Sequence, residues 1–206
     1  MKRIRQVTLW LIALVAVVGI SAMMIEWYKD EMNVQMTKDG QNKVQIGGPF
    51  TLTNHLGQTV TDKDYSEKPM AIYFGYTFCP DVCPTTLADM TGWVEALGAD
   101  ANKINYLFIT IDPERDDQES IKEYVTVFFD QLVGLTGSKE QVEAVAKAYR
   151  VYAKKVEDDD ADSYVMDHTA SVYLMKPGNQ FMGTISYGED HESALGKLKK
   201  LIAAGS

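Results

Sequence analysis

The segment that most constrains this chain is GYTFCPDVCPTTLADM (residues 75–90), in which two cysteines four apart are bracketed by two different hydrophobic patterns. Before it, MAIYFGY from Met70 is a near-continuous apolar run, the mark of a strand covered on both faces. After it, Leu87, Met90, Val94 and Leu97 recur at helical spacing, so the cysteines stand at a strand-to-helix junction. Cys79 precedes Pro80 and Cys83 precedes Pro84, and a residue before proline is pushed out of the right-handed helical region. Both thiols therefore belong to a shaped turn. Pro84 suits the first helical position, which puts Cys83 at the N-cap. There the helix dipole and free amides favour the anion, so the Cys83 thiol is expected to fall below its free value of about 8.5 and to supply thiolate at neutral pH.

The rest of the chain builds a sheet around that junction. INYLFITI, residues 104–111, is a second buried strand and completes a βαβ crossover. Upstream, FTLTNHLGQTV reads as a hairpin turning around His55 to Gly57. Downstream, Ile121, Tyr124, Val125 and Phe128 mark a helix with Asp116 and Glu119 as a capping pair, and QLVGLTG reads as a short strand. Val142, Val145, Ala146 and Tyr149 mark the next helix, behind a Ser138/Gln141 capping box. SVYLM and FMGTISY, turned by Lys176 to Gln180, are two alternating strands, and Leu195, Leu198 and Leu201 carry a last helix. This order suits an α/β domain with a central mixed sheet and helices on both faces.

Between Arg5 and Glu26 no residue is charged, and the 20 residues from Gln6 to Ile25 match a hydrocarbon core of roughly 30 Å. One transmembrane helix over residues 7–25 is expected. A cleavable signal peptide has an apolar stretch of about 7 to 15 residues and a small-x-small site, and here Ile20 occupies the upstream small position. Lys2, Arg3 and Arg5 precede the span while Glu26, Asp30 and Glu31 follow it, so residues 1–6 are expected in the cytoplasm and the bulk of the chain outside. Polar residues 26–48, ending in GGP, read as a tether to a domain at 49–206.

Charge narrows the partners. The formal charge is 20 minus 29, or −9, and −12 once the three basic residues of the N-terminal tail are removed. That excess of acid argues against nucleic acid and against an anionic lipid surface, leaving the anchor to hold the protein at the membrane. The chain's two cysteines allow one short-loop disulfide, which gains little from loop entropy, so a reactive or ligating role outweighs a stapling one. Alone, the Cys-x-x-x-Cys spacing serves a redox site, half of a zinc site or a soft-metal site, and full zinc ligation needs four partners.

His168, in YVMDHTASVYLM, stands just before an apolar strand. Histidine is both the commonest metal ligand and a common satisfied polar residue, and the segment alone leaves both readings open. Two thiolates and an imidazole suit copper, thiolate favouring Cu(I) and imidazole also suiting Cu(II). Asp167 is placed to orient the imidazole or to mark a strand entry. His55 and His191 read as surface residues, Met90, Met166, Met175 and Met182 as core, and EDDDADS from Glu157 as a solvated loop.

Three segments in order, GYTFCPDVCPTTL, ITIDPERDD and YVMDHTASVYLM, with the anchor ahead of them, make the chain resemble the Sco/SenC family of copper proteins that assemble cytochrome c oxidase. The resemblance spans Pro49 to the C-terminus. It implies a thioredoxin-like fold and one copper per domain held by Cys79, Cys83 and His168. It implies delivery to the copper A site of oxidase subunit II, and a bacterial inner-membrane protein with a periplasmic domain. A copper donor and a thiol reductant for a Cys79–Cys83 disulfide are further expected partners. Family members also suggest an assisting acidic residue, for which Asp112 and Asp116 are the candidates. The alternative role for the same thiols is a thiol-disulfide oxidoreductase acting on the oxidase copper-site cysteines.

Overall fold

Met70–Gly75 (β3) is buried at every position and runs through the middle of the sheet, as its unbroken apolar run requires. The computed structural model describes residues 45–157 and 164–205, together with Met24. Apart from Met24, the expected anchor at 7–25 lies outside the described residues, as does most of the tether, and among the described residues no helix is long and apolar enough to cross a membrane.

In chain order the elements are β1 (Thr51–Asn54), β2 (Thr59–Thr61), β3, α1 (Val82–Leu97), β4 (Asn105–Thr110), α2 (Gln118–Val125) and β5 (Leu132–Thr136). They continue with α3 (Lys139–Ala148), β6 (Ala153–Glu157), β7 (Tyr164–His168), β8 (Ser171–Lys176), β9 (Gln180–Ser186) and α4 (His191–Ala203). Among the described residues a seven-stranded sheet has the order β2-β1-β5-β4-β3-β8-β9. β3, β4 and β5 are parallel, and the remaining pairs are antiparallel, so the sheet is mixed.

Neighbouring residues of a strand face opposite sides, and Tyr73 and Phe74 sort the helices accordingly. Tyr73 lies against Phe108, whose ring meets Tyr124 of α2 at 5.4 Å, while Phe74 meets Tyr149 at the end of α3 at 5.4 Å. The two successive crossovers step the same way across the sheet, so with the right hand that such units take they put α1 and α2 on one face; α4 packs against α1 there, and α3 covers the other. Gly134 of β5 lets α2 approach, since a Cβ there would collide with Ile121 and Val125.

Four local expectations change. The domain reaches back to Gln45: Ile46 packs on the core, and the Gly47 amide donates to the Ala148 carbonyl at 3.0 Å. α2 is capped by Asp117, whose carboxylate accepts from the Ser120 amide at 2.9 Å, because Asp116 is turned inward and fully buried. His55 is more than a surface residue: the Gly134 amide donates to its Nδ1 at 3.1 Å, pinning the β1–β2 turn to β5. Finally, β6 and β7 form a separate two-stranded sheet that the sequence reading lacks altogether, and residues 158–163 of the acidic run lie outside the described residues. The Ser138/Gln141 capping box forms as expected, as do the hairpin of β8 and β9 and all four amphipathic helices.

Candidate metal centre

β3 ends at Gly75, and the chain then crosses the end of the sheet through Tyr76, Thr77 and Phe78 before Cys79. α1 begins earlier than Pro84 suggests, with Asp81 at the N-cap and Cys83 in the first turn. Pro84 costs nothing there, because the first-turn amides have no intrahelical acceptor. The Thr77 loop is anchored by Asp116, which accepts from the Thr77 amide at 3.0 Å, from its hydroxyl at 2.6 Å and from the Thr110 hydroxyl at 2.6 Å.

The two thiols differ. Cys83 is fully buried, and Cys79 is half-buried at the mouth. The Cys83 amide donates to Cys79 Sγ at 3.3 Å. Hydrogen bonds from the Cys83 thiol and from the amides of Cys83 and the N-cap Asp81 hold the Cys79 thiol well below its ordinary range. The bond to Cys79 and its own burial push Cys83 up. This reverses the expectation that Cys83 is the activated thiol. The helix N-terminus does stabilise a thiolate, but its amides point at the sulfur that precedes the helix.

His168 arrives from the far side, as the last residue of β7. Its Nδ1 lies 3.1 Å from the Thr169 carbonyl oxygen, which can only accept, so Nδ1 carries the hydrogen and Nε2 turns its lone pair inward. Nε2 is 3.6 Å from Cys83 Sγ, and the three donor atoms of Cys79, Cys83 and His168 all lie within 4.8 Å of one another. Donors about 2.0–2.3 Å from a shared ion stand at most about 4.6 Å apart, so small side-chain adjustments close the group around one ion. Asp167 does not orient the imidazole: strand alternation turns it outward, and the Thr169 carbonyl takes that role. The candidate carboxylates are committed elsewhere, Asp116 as above and Asp112 to Arg115 at 2.6 Å and to the Tyr164 hydroxyl at 2.9 Å. Neither belongs to the cluster of possible metal ligands. Met90 and Met175 are buried in the core and Met166 and Met182 pack on it, Met166 also lining an apolar groove beside Cys79 with Tyr76, Pro80 and Val165.

Residues 38–203 match the family model described as SCO1/SenC. The chain belongs to the SCO1/SenC family. Human "Protein SCO1 homolog, mitochondrial" is 44% identical over 159 residues, covering 75% of this chain and 53% of the human protein. "Protein SenC" of Rhodobacter capsulatus is 37% identical over 172 residues, covering 82% of this chain and 77% of that protein. The structure of Bradyrhizobium japonicum ScoI with copper bound superposes with a TM-score of 0.70 at 46% identity, over 76% of this chain and 99% of that one. The matched region spans about half the length of the human relative.

In this SCO1/SenC domain the sequence pattern missed two things around the donors. The first is the Asp116 anchor, whose only signal was its place in the DPERD segment. The second is Gly75: a Cβ there would lie 2.9 Å from Cys83 Sγ and 2.9 Å from Phe108, so the buried thiol occupies space that any side chain would take. Gly75→Ala is expected to cost about 1–3 kcal/mol by overpacking and to displace the Cys83 sulfur. Denaturant unfolding checks the first effect. The reaction rate of Cys83 with a small thiol reagent in the folded protein checks the second, with a rise expected.

Proposed function

We propose that this protein is a membrane-anchored copper metallochaperone that takes one copper ion, Cu(I) or Cu(II), between Cys79, Cys83 and His168 and passes it to the copper A site of cytochrome c oxidase subunit II. One observation carries the reading: Cys79 Sγ, Cys83 Sγ and His168 Nε2, from three separate stretches of chain, converge within 4.8 Å. Two soft thiolates with one imidazole match copper, and three donors with no fourth among the described residues leave a side from which a second ligand set can attack. That the Bradyrhizobium relative was solved with copper bound supports the choice of cargo.

The chain's own residues divide the work. Cys79, accessible and held as thiolate, receives the ion first and releases it last. Cys83 is buried and gives up its proton when the metal binds. The carbonyl of Thr169 holds His168 in the tautomer that leaves Nε2 free. Exchange then proceeds ligand by ligand across the open groove at Cys79. The uncharged stretch from Gln6 to Ile25 is the anchor in this reading, with the domain in the periplasm of a bacterial cell. A copper donor and a thiol reductant act upstream. The second reading, reduction of the oxidase copper-site cysteines, draws on the same low-lying Cys79 thiolate.

His168 separates the two, because a dithiol reductant does not need it. Anaerobic titration of the reduced protein with Cu(I) and Cu(II) is expected to give one copper per chain. His168→Ala is expected to weaken Cu(II) binding by at least about 10-fold and Cu(I) binding less. Full restoration of oxidase activity by His168→Ala, in cells lacking this protein and limited in copper, would transfer the function to thiol reduction.

A further inference from the structure

Besides Met166 packed on the core and Lys155 3.5 Å from Glu114, the hairpin that carries His168 depends on the contacts at its Tyr164 end. β6 is exposed along its whole length, and a two-stranded sheet is marginal by itself, so whatever pins β7 to the domain decides where the imidazole points. Arg115 touches both sides of that gap. Its guanidinium carbon lies 3.5 Å from the ring centre of Tyr164, the first residue of β7, and 4.9 Å and 5.6 Å from those of Phe78 and Tyr76, which lead into Cys79. Its Nε donates to Asp112 at 2.6 Å and an Nη donates to the Tyr164 carbonyl at 3.0 Å, while the Tyr164 hydroxyl donates back to Asp112 at 2.9 Å. Lys155 of β6 also lies over the Tyr164 ring, at 3.7 Å. Tyr164 and His168 share the inward face of β7, and the His168 ring meets Tyr76 edge-on at 5.9 Å.

We propose that Arg115 is a positioning residue that ties the loop of Cys79 to the β6–β7 hairpin, and so holds His168 Nε2 in place against the two sulfurs. The inference rests on the copper-site reading above. Only an arginine serves, since the contact combines a planar stack with a forked pair of donors, and lysine offers neither. Loss of the tie leaves the thiols, Asp116 and the sheet untouched while the imidazole becomes a tethered, loosely placed ligand.

The test is Cu(II) titration of the reduced full-length chain as wild type, Arg115→Ala, His168→Ala and the double variant, read by thiolate-to-copper absorption and by nitrogen coupling in electron paramagnetic resonance. Arg115→Ala is expected to weaken Cu(II) by about 10- to 100-fold, as loss of an orienting partner does, and to diminish the nitrogen signal. On the His168→Ala background it should have no further effect, a non-additivity that a general structural role would not produce. Wild-type affinity and nitrogen coupling in Arg115→Ala would overturn the proposal, and so would an equal loss on both backgrounds. If His168→Ala itself equals wild type, the copper site as assigned fails and this coupling with it. Should Arg115→Ala not fold, Arg115→Lys carries the test: a smaller loss of the same kind is expected, and wild-type behaviour would overturn the idea.

Discussion

Asp116→Ala is expected to destabilise the domain by about 3–5 kcal/mol, the largest effect of any substitution outside the hydrophobic core. The carboxylate is fully buried and accepts three hydrogen bonds, from the Thr77 amide, the Thr77 hydroxyl and the Thr110 hydroxyl. Alanine removes the acceptor and leaves the buried Thr110 hydroxyl and the half-buried Thr77 donors without it, beside a void. For a domain of this size the melting temperature should fall by roughly 6–20 °C. Asp116→Asn, with one acceptor oxygen left, should fall between. Because the Thr77 loop leads into Cys79, the rate of alkylation of Cys79 should change in the same variants. The pH dependence has a definite sign. Burial raises the Asp116 carboxyl above its ordinary 3.8, so the folded state holds that proton more tightly than the unfolded chain. Its contribution is fully present below the unfolded value and declines as pH rises through the folded one, a decline that Asp116→Ala should abolish. Unchanged denaturation midpoints in Asp116→Ala would show that the loop is held by something else.

Oxidised protein is expected to take up no stoichiometric copper, whereas the reduced protein takes one ion per chain. Both cysteines are free thiols in the structure, with donor atoms inside the 4.8 Å cluster, so a modest approach of the sulfurs lets an added disulfide oxidant take two electrons from the pair and join them, with one proton leaving Cys83 because Cys79 is already thiolate. The sulfurs bonded to each other are then lost as thiolate ligands. Access sets the direction: Cys79, the more accessible sulfur of the disulfide, is the one an incoming thiol reductant attacks to form a mixed disulfide, and the buried Cys83 sulfur leaves as a thiolate that takes up a proton. Thiol counting before and after reduction, paired with metal analysis, checks the switch. Equal copper uptake by both forms would remove it.

Much of this architecture was legible from residue order. The apolar runs at Met70 and Ile104 had to be interior strands, and the helical spacing after Cys83 had to be a crossover helix, because no other backbone buries those patterns. The capping box at Ser138 was equally readable, since it uses only contacts three residues apart. Cys79, Cys83 and His168 were named as candidates from residue type and motif, and the fold brings their donor atoms into one cluster.

The tertiary structure decided what depends on distant atoms. Asp116 and Asp117 are neighbours with identical side chains, and only the packing of Thr77 and Thr110 tells which one turns inward and which caps α2. The thiolate falls on Cys79 rather than Cys83 because hydrogen bonding and burial are three-dimensional quantities, and in the fold the helix N-terminal amide of Cys83 points at Cys79 Sγ while Cys83 itself is buried. The β6–β7 hairpin has no periodic hydrophobic signal, as β6 is exposed at every position and the hairpin's anchors, Arg115 and Asp112, lie about fifty residues from Tyr164 in sequence. Local pattern reports what a segment buries against its own sheet; it carries no record of which remote cation stacks on which ring, and the orientation of His168 depends on that.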